Sequence, residues 1–234
     1  MVISYPTTWV PYAFTRMGFD PRDLNATPGL LFWKLGGTGH GPGFSARPNF
    51  HRYALFATWD SEASWESFLN HSPVVKRFHK RAHEIWWIVL LPVRSHGFWN
   101  RRALFSCRDA PSSGSPMAVL TRATIRFSRL LHFWSEVQPV SAVLERTRGL
   151  ICSIGFGEIP WIRQATFSVW ESSRAFEEFA YTSEQHRRAI QRTRDENWYA
   201  EELFARFHPI RSHGIWNGRD PLEGHTLIST NVLP

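Results

Sequence analysis

Cysteine is scarce: Cys107 and Cys152 are the only two in 234 residues. That is too few for a disulfide framework or a cysteine-ligated zinc site, so they read as a linker thiol and a buried strand residue. Long apolar runs are missing too. The longest, residues 85–93, is strand-sized, whereas a helix crossing a bilayer needs about 20 apolar residues. The N-terminus lacks a charged start followed by an apolar stretch, so residence in the cytoplasm is expected. No G-x-S-x-G, H-E-x-x-H, C-x-x-C or P-loop occurs, which removes common signatures of hydrolases, zinc proteases and kinases. Gly36-Gly37-Thr38-Gly39-His40-Gly41-Pro42-Gly43 is glycine-rich, but a phosphate cradle needs a helix start directly after its glycines. Pro42 and residues 45–49 intervene, and a long hairpin connection is expected instead. The carboxylate pairs Glu177-Glu178 and Glu201-Glu202 are adjacent in sequence, so their side chains diverge and form no acid/base dyad.

Aromatics and arginine are plentiful. The chain carries twelve Trp, eighteen Phe and a formal charge of +7, which raises nucleic acid or an anionic membrane surface as partners. Arginines lie among carboxylates, as in Arg192, Arg194-Asp195-Glu196. That distribution fits solvated helix faces, and no nucleic-acid partner is expected.

The most informative pattern is a repeat. Arg94-Ser95-His96-Gly97-Phe98-Trp99-Asn100-Arg101-Arg102 returns as Arg211-Ser212-His213-Gly214-Ile215-Trp216-Asn217-Gly218-Arg219. Phe56-Ala57-Thr58-Trp59-Asp60-Ser61 matches Phe167-Ser168-Val169-Trp170-Glu171-Ser172. Trp65, Phe68 and Ser72 then match Phe176, Phe179 and Ser183 at the same spacing. The period is too long for a solenoid and indicates two copies of one half-domain. Residues 1–107 form the first, 117–234 the second, and the Pro/Ser/Gly-rich 108–116 the linker.

In the first half a short helix is expected at 21–25 and strands at 29–35, 51–59 and 84–92, with Ser61 and Ser72-Pro73 opening helices. In the second, strands are expected at 117–127, 149–156, 162–170 and 199–207, and helices at 130–146, 173–180 and 184–194. The order strand-helix-strand-strand-helix-strand is a split βαβ unit. The fold class is therefore α+β, with two tandem ferredoxin-like repeats in a dimeric α+β barrel-type architecture. Whether one chain or a homodimer completes the barrel stays open. On strand 162–170, Ala165, Phe167 and Val169 share one face, and Gln164, Thr166, Ser168 and Trp170 the other. The polar face is expected to look into a lined chamber between the sheets.

Histidines are the informative titratable class. His96 and His213 occupy the same place in both copies, which suggests a structural role, and their neighbours Trp99 and Trp216 are expected to plug the barrel ends. His186 differs, because the repeat puts Val75 at its position in the first half. A single inward imidazole could hold one iron as a proximal ligand, or simply be a satisfied core histidine.

Further strings carry a resemblance. Arg122-Ala123-Thr124-Ile125, Phe133-Trp134, Gly155-Phe156-Gly157-Glu158-Ile159-Pro160, Gln164-Ala165-Thr166-Phe167-Ser168-Val169-Trp170 and Trp198-Tyr199-Ala200-Glu201-Glu202-Leu203-Phe204-Ala205-Arg206-Phe207 closely resemble the spheroidene monooxygenase family of carotenoid biosynthesis. In the first half Arg16-Met17-Gly18-Phe19, Phe32-Trp33-Lys34-Leu35 and Ala57-Thr58-Trp59 also match, so the resemblance covers almost the whole chain. Arg101 stands where that family's turn usually has glycine. The resemblance implies an O2-dependent monooxygenase of an acyclic carotenoid, with haem as cofactor and an external electron donor.

On that reading His186 is the metal and haem ligand. Thr166, Ser168 and Arg206 are the expected catalytic residues of the distal side. Trp170, Trp198 and Phe204 supply the apolar wall around the cofactor. A haem-dependent dehydratase, a cofactor-free oxygenase and a non-catalytic haem or apolar-ligand binder are the alternatives. A membrane-resident substrate would imply transient contact with the bilayer.

Overall fold

The structure is a computed structural model and describes residues 1–41, 43, 45–109, 114–144, 146–182, 188, 191–193 and 195–228, without the side chains of 137–142, 181 and 182. The first half contains β1 (Val2–Ser4), α1 (Val10–Asn25), β2 (Leu30–Gly39), β3 (Pro48–Trp59), α2 (Glu62–His71), α3 (Pro73–Arg81) and β4 (Glu84–Gly97). The second contains β5 (Met117–Ile125), α4 (Leu130–Leu144), β6 (Leu150–Ile159), β7 (Arg163–Trp170), α5 (Ser173–Thr182) and β8 (Tyr199–Gly214). The expected helix at 184–194 falls mostly outside the described residues, as do 110–113 of the linker.

Local chemistry explains the helix starts. Ser61 Oγ accepts the amide of Ser64, and Ser72 Oγ accepts that of Val74, with Pro73 in the first turn. Both serines cap orphan N–H groups as expected. Two elements of the first half depart from the sequence reading. β1 was not foreseen, and α1 runs through Pro21 instead of starting there. Tertiary pairing outweighs the proline: Asp20, 1% exposed, accepts from Arg16 one turn earlier and from Arg77 on α3.

The eight strands form a closed barrel in the order β1-β3-β2-β6-β7-β5-β8-β4, with every pair antiparallel. Closure is achieved within one chain. The halves meet along β4–β8, an extended seam, and along β2–β6, where Gly37 pairs Gly157 and Thr38 pairs Phe156.

The long seam follows the internal two-fold. Gly97 (φ +85°) lies against Leu203, and its repeat counterpart Gly214 (φ +99°) lies against Trp86. A Cβ on Gly97 would sit 2.2 Å from the Glu202 carbonyl oxygen, and one on Gly214 would sit 2.1 Å from that of Ile85. Only glycine suits this backbone and this approach. The repeated Ser-His-Gly string therefore encodes strand ends that close the barrel, not a free turn.

The barrel interior is one continuous apolar core. Ala165, Phe167 and Val169 meet Ala118, Leu120, Ile154, Leu203, Ala205 and Phe207 there, together with Trp86, Trp99 and Trp216 from the ends. Trp99 and Trp216 are buried against this core, as expected of end plugs. The expected polar chamber between the sheets is not found. The apolar face of β7 turns inward because eight strands enclose a space that side chains fill, and the face bearing Thr166, Ser168 and Trp170 turns out toward the helices.

Candidate functional site

The outer face of the barrel shows where the copies diverge. In the first half Met1, Trp33, Leu35, Tyr53, Leu55 and Trp87 belong to one apolar cluster under α1, α2 and α3. Strand register identifies their counterparts. Leu55 exchanges backbone bonds with Met1 and pairs Leu35, just as Thr166 pairs Thr121 and Gly155. The second half thus has Thr121, Ser153, Gly155, Gln164, Thr166 and Phe204 where the first has those six bulky residues. Every replacement is smaller, and four introduce a polar side chain.

Among the described residues the apolar side chains beneath the second-half helices fall into two clusters. Met117, Val119, Trp170, Phe176 and Phe179 cluster toward one end of the second-half sheet. Ile125, Phe133 and Trp198 cluster toward the other. Met117 and Ile125 are eight residues apart on β5, roughly 26 Å at strand rise. Between them the outer face carries a strip of lower side-chain bulk, a trough relative to the first half, made of half-buried Thr121, Ser153, Thr166 and Phe204 and buried Gly155. Helix α4 reaches both clusters, through Phe133 and through Leu144, so it spans the trough.

The expected site residues fall as follows. Thr166 lies on the trough floor, and Ser168 one register step toward α5, where its Oγ accepts from Trp170 Nε1 at 2.9 Å. Phe204 pairs across β5 with Thr121 and stacks on His96, centroids 5.3 Å apart. Arg206 is already engaged: it donates to Glu177 on α5 at 3.1 Å and lies over the Phe176 ring at 4.9 Å. Trp198 belongs to the far cluster, with its indole N–H on Glu196 and Arg192 over its ring. Trp170 and Trp198 therefore cap opposite ends and do not form one wall. His186 lies outside the described residues. Its counterpart Val75 is 1% exposed in the first-half core.

Thr121, Ser153 and Gly155 were not singled out from the sequence. The signal was present in the repeat, but β1 against β5 and β2 against β6 are aligned by register and hardly by identity.

The mouth of the barrel beside the Trp198 cluster is charged. Arg122, 1% exposed, stands where the first half has Val2 and is hydrogen-bonded to Glu201. That carboxylate also accepts the amides of Asn100 and Arg101 at 3.0 and 2.7 Å. Glu158 receives Lys34 at 2.5 Å and the Trp99 indole at 2.7 Å. Burial works against the charge on Glu201, but the two amides and Arg122 outweigh it and hold its carboxyl below the usual range. A cleft of about 1120 Å³ opens here between Phe98, Arg101, Arg122, Thr124, Arg163 and Tyr199. Burial raises the Tyr199 hydroxyl to about 12, so it stays a neutral donor.

Among the described residues no cluster of three His, Cys, Asp or Glu is placed to hold a bare metal ion. The trough offers hydroxyls, aromatic surface and one ion-paired arginine. Groups of this kind can contact an apolar molecule but supply no redox couple of their own.

No family model matches the chain. Curated relatives do. A spheroidene monooxygenase of Rhodobacter capsulatus is 35% identical over 223 residues, 94% of this chain and 92% of its own length. That of Rubrivivax gelatinosus is 39% identical over 192 residues, covering 82% and 73%. That of Cereibacter sphaeroides is 37% identical over 208 residues, 88% of this chain, and the match spans 64% of the relative's length. Among solved structures, a candidate monooxygenase of Fusobacterium nucleatum is similar over 94% of both chains, with TM-score 0.42 and 10% identity. One of Lactobacillus acidophilus has TM-score 0.39 and 11% identity over 97% of this chain and 96% of its own.

Proposed function

Since the chain belongs to the spheroidene monooxygenase family, we propose that it inserts one atom of O2 into a long, apolar acyclic carotenoid such as spheroidene. The second-half trough is the site. One observation carries this reading: six bulky outer-face residues of the first half are replaced by smaller ones in the second, four of them polar. Side chains this much smaller than their register partners give the second-half floor less bulk to pack with, and a flat apolar ligand would supply that contact.

Haem fits the trough. It is flat and largely apolar and takes a protein ligand, and the small side chains of Thr121 and Thr166 with Gly155 would lie against it. When bound, haem supplies the iron redox couple that oxygen activation requires. His186 would hold the iron, because the repeat aligns it with Val75, which is buried in the first-half core. Thr166 and Ser168 offer hydroxyls to an oxygen species, and Arg206 can exchange Glu177 for a propionate carboxylate. Phe204 and Trp170 exclude water from one side, with Trp198 closing the far end. A monooxygenase reduces the second oxygen atom to water, so two electrons must come from an external donor.

An acyclic carotenoid such as spheroidene has no acidic proton whose loss would give an O2-reactive carbanion, which sets the cofactor-free route behind the haem route. The test is reconstitution of the purified protein with haemin, followed by incubation with spheroidene, O2 and a reductant. The expected result is a Soret band and a product heavier by one oxygen atom, with both impaired in His186→Ala. A colourless protein that oxygenates the substrate would select the cofactor-free route. An unchanged spectrum and turnover in His186→Ala would remove that ligand assignment.

A further inference from the structure

Large apolar side chains crowd one exposed corner of the second half. Phe127 and Leu131 are 83% and 87% exposed, and Trp161 is 53% exposed. Phe127 opens the short 3-10 turn before α4, and Leu131 lies four residues on, in the first turn of that helix. Trp161 sits at the tip of the β6–β7 hairpin. The two segments are joined, because Trp134 on α4 donates its indole N–H to the Trp161 carbonyl and Ile125 donates to that of Ile162.

Trp161 has φ +62°, a left-handed conformation that is costly for a bulky residue. The indole N–H of this tip residue reaches the Ala46 carbonyl at 3.3 Å, and the residue stays 53% exposed. At the matching positions the first half carries Thr7 and Pro11 in place of Phe127 and Leu131, so the feature belongs to one copy only.

The charge around this corner has one sign. Arg126 and Arg129 flank Phe127, Arg163 follows Trp161 on β7, and Arg47 is in the loop whose Ala46 carbonyl accepts the Trp161 indole. Among the described residues none of these four is in an ion pair, whereas Glu136 and Glu196 nearby are both taken up by Arg192.

We propose that Phe127, Leu131 and Trp161 form a docking face for an anionic lipid bilayer, with the surrounding arginines meeting the headgroups. Aromatic and aliphatic side chains insert at the headgroup boundary, and each nearby arginine gains from an anionic surface. The face adjoins the Phe133–Trp198 end of the trough, since Ile125 pairs Tyr199 and both pack in that cluster. A molecule dissolved in the bilayer would thus be delivered beside the site. The docking face stands on its own observations and holds whatever cofactor the trough takes.

The test is sedimentation of the purified protein with phosphatidylglycerol vesicles and with phosphatidylcholine vesicles. Wild-type protein is expected to partition at least tenfold better onto the anionic vesicles and to be released by high salt. Phe127→Ser/Leu131→Ser/Trp161→Ser should lower that partition at least tenfold, and so should the surface pair Arg126→Glu/Arg129→Glu, each with a native far-ultraviolet spectrum. The α1 pair Phe14→Ser/Phe19→Ser, whose parent side chains are also exposed, should leave it unchanged. Equal binding by wild type and the triple variant, or loss only in the α1 pair, overturns the proposal. A wild-type dimer that the triple variant converts to monomer in sedimentation velocity also overturns it, in favour of a second copy as occupant.

Discussion

The two halves share a backbone plan and differ in what lies on it. Along the β4–β8 seam they are interchangeable: Gly97 and Gly214 make the same close approach to the opposite strand. On the outer face they are not. The first half packs Trp33, Leu35, Leu55 and Trp87 beneath its helices, and the second presents Ser153, Gly155, Thr166 and Phe204. Duplication supplied a symmetric closed frame, and the two copies differ in bulk on one outer face. The first packs large side chains beneath its helices, and the second carries the smaller ones on which the proposed site rests.

This contrast can be broken in four ways, in decreasing order of effect. Arg122 is a buried charge present in the second half alone, and Arg122→Ala should cost about 3–5 kcal/mol in denaturant unfolding. The same variant should alter the acid response. The folded-state pKa of Glu201 is depressed, so its stabilisation is present above the ordinary carboxylate value and is lost as pH falls through the folded pKa. Without Arg122 that pKa moves back up, and the acid limb of the stability profile becomes shallower.

Next, giving the second half the bulk of the first, with Thr121→Met/Thr166→Leu, should cut carotenoid turnover on the order of 100-fold, about 2.7 kcal/mol in the barrier. Its melting temperature should hold or rise. A filled trough with full turnover would place the chemistry elsewhere. The converse change, Leu55→Thr, should cost about 2 kcal/mol of stability through lost packing and leave turnover per folded molecule intact. The smallest effect concerns Arg101, which holds φ +60° where the second copy has Gly218 at φ +86°. Arg101→Gly relieves left-handed strain and should gain up to about 1 kcal/mol in thermal unfolding.

Much of the fold was legible in the chain. Ser61 and Ser72-Pro73 mark helix starts by hydrogen-bonding rules that act over three residues, and the alternation on 162–170 marks a strand. The short β1 and the continuation of α1 through Pro21 were not legible, because each depends on partners far away in sequence: β1 on Tyr53 and Ile85, and α1 on Arg77. The face of the sheet that carries the candidate residues was not legible. Thr166, Ser168, Phe204 and Arg206 do share the outer face by the trough, but the side of the sheet was assigned wrongly. Alternation tells which residues share a face and cannot tell which face a closed barrel turns inward.

By itself the sequence determined the duplication, the split βαβ order and the family, since these are carried by local spacing and by strings that any matching chain would share. Tertiary structure alone decided that one chain closes the barrel, that Ala165, Phe167 and Val169 fill it, and that the smaller residues of six register-matched pairs share the outer face of the second half. The reason is geometric. Pairing across β5, β6, β7 and β8 brings Thr121, Ser153, Thr166 and Phe204 side by side, and only the closed sheet makes them neighbours.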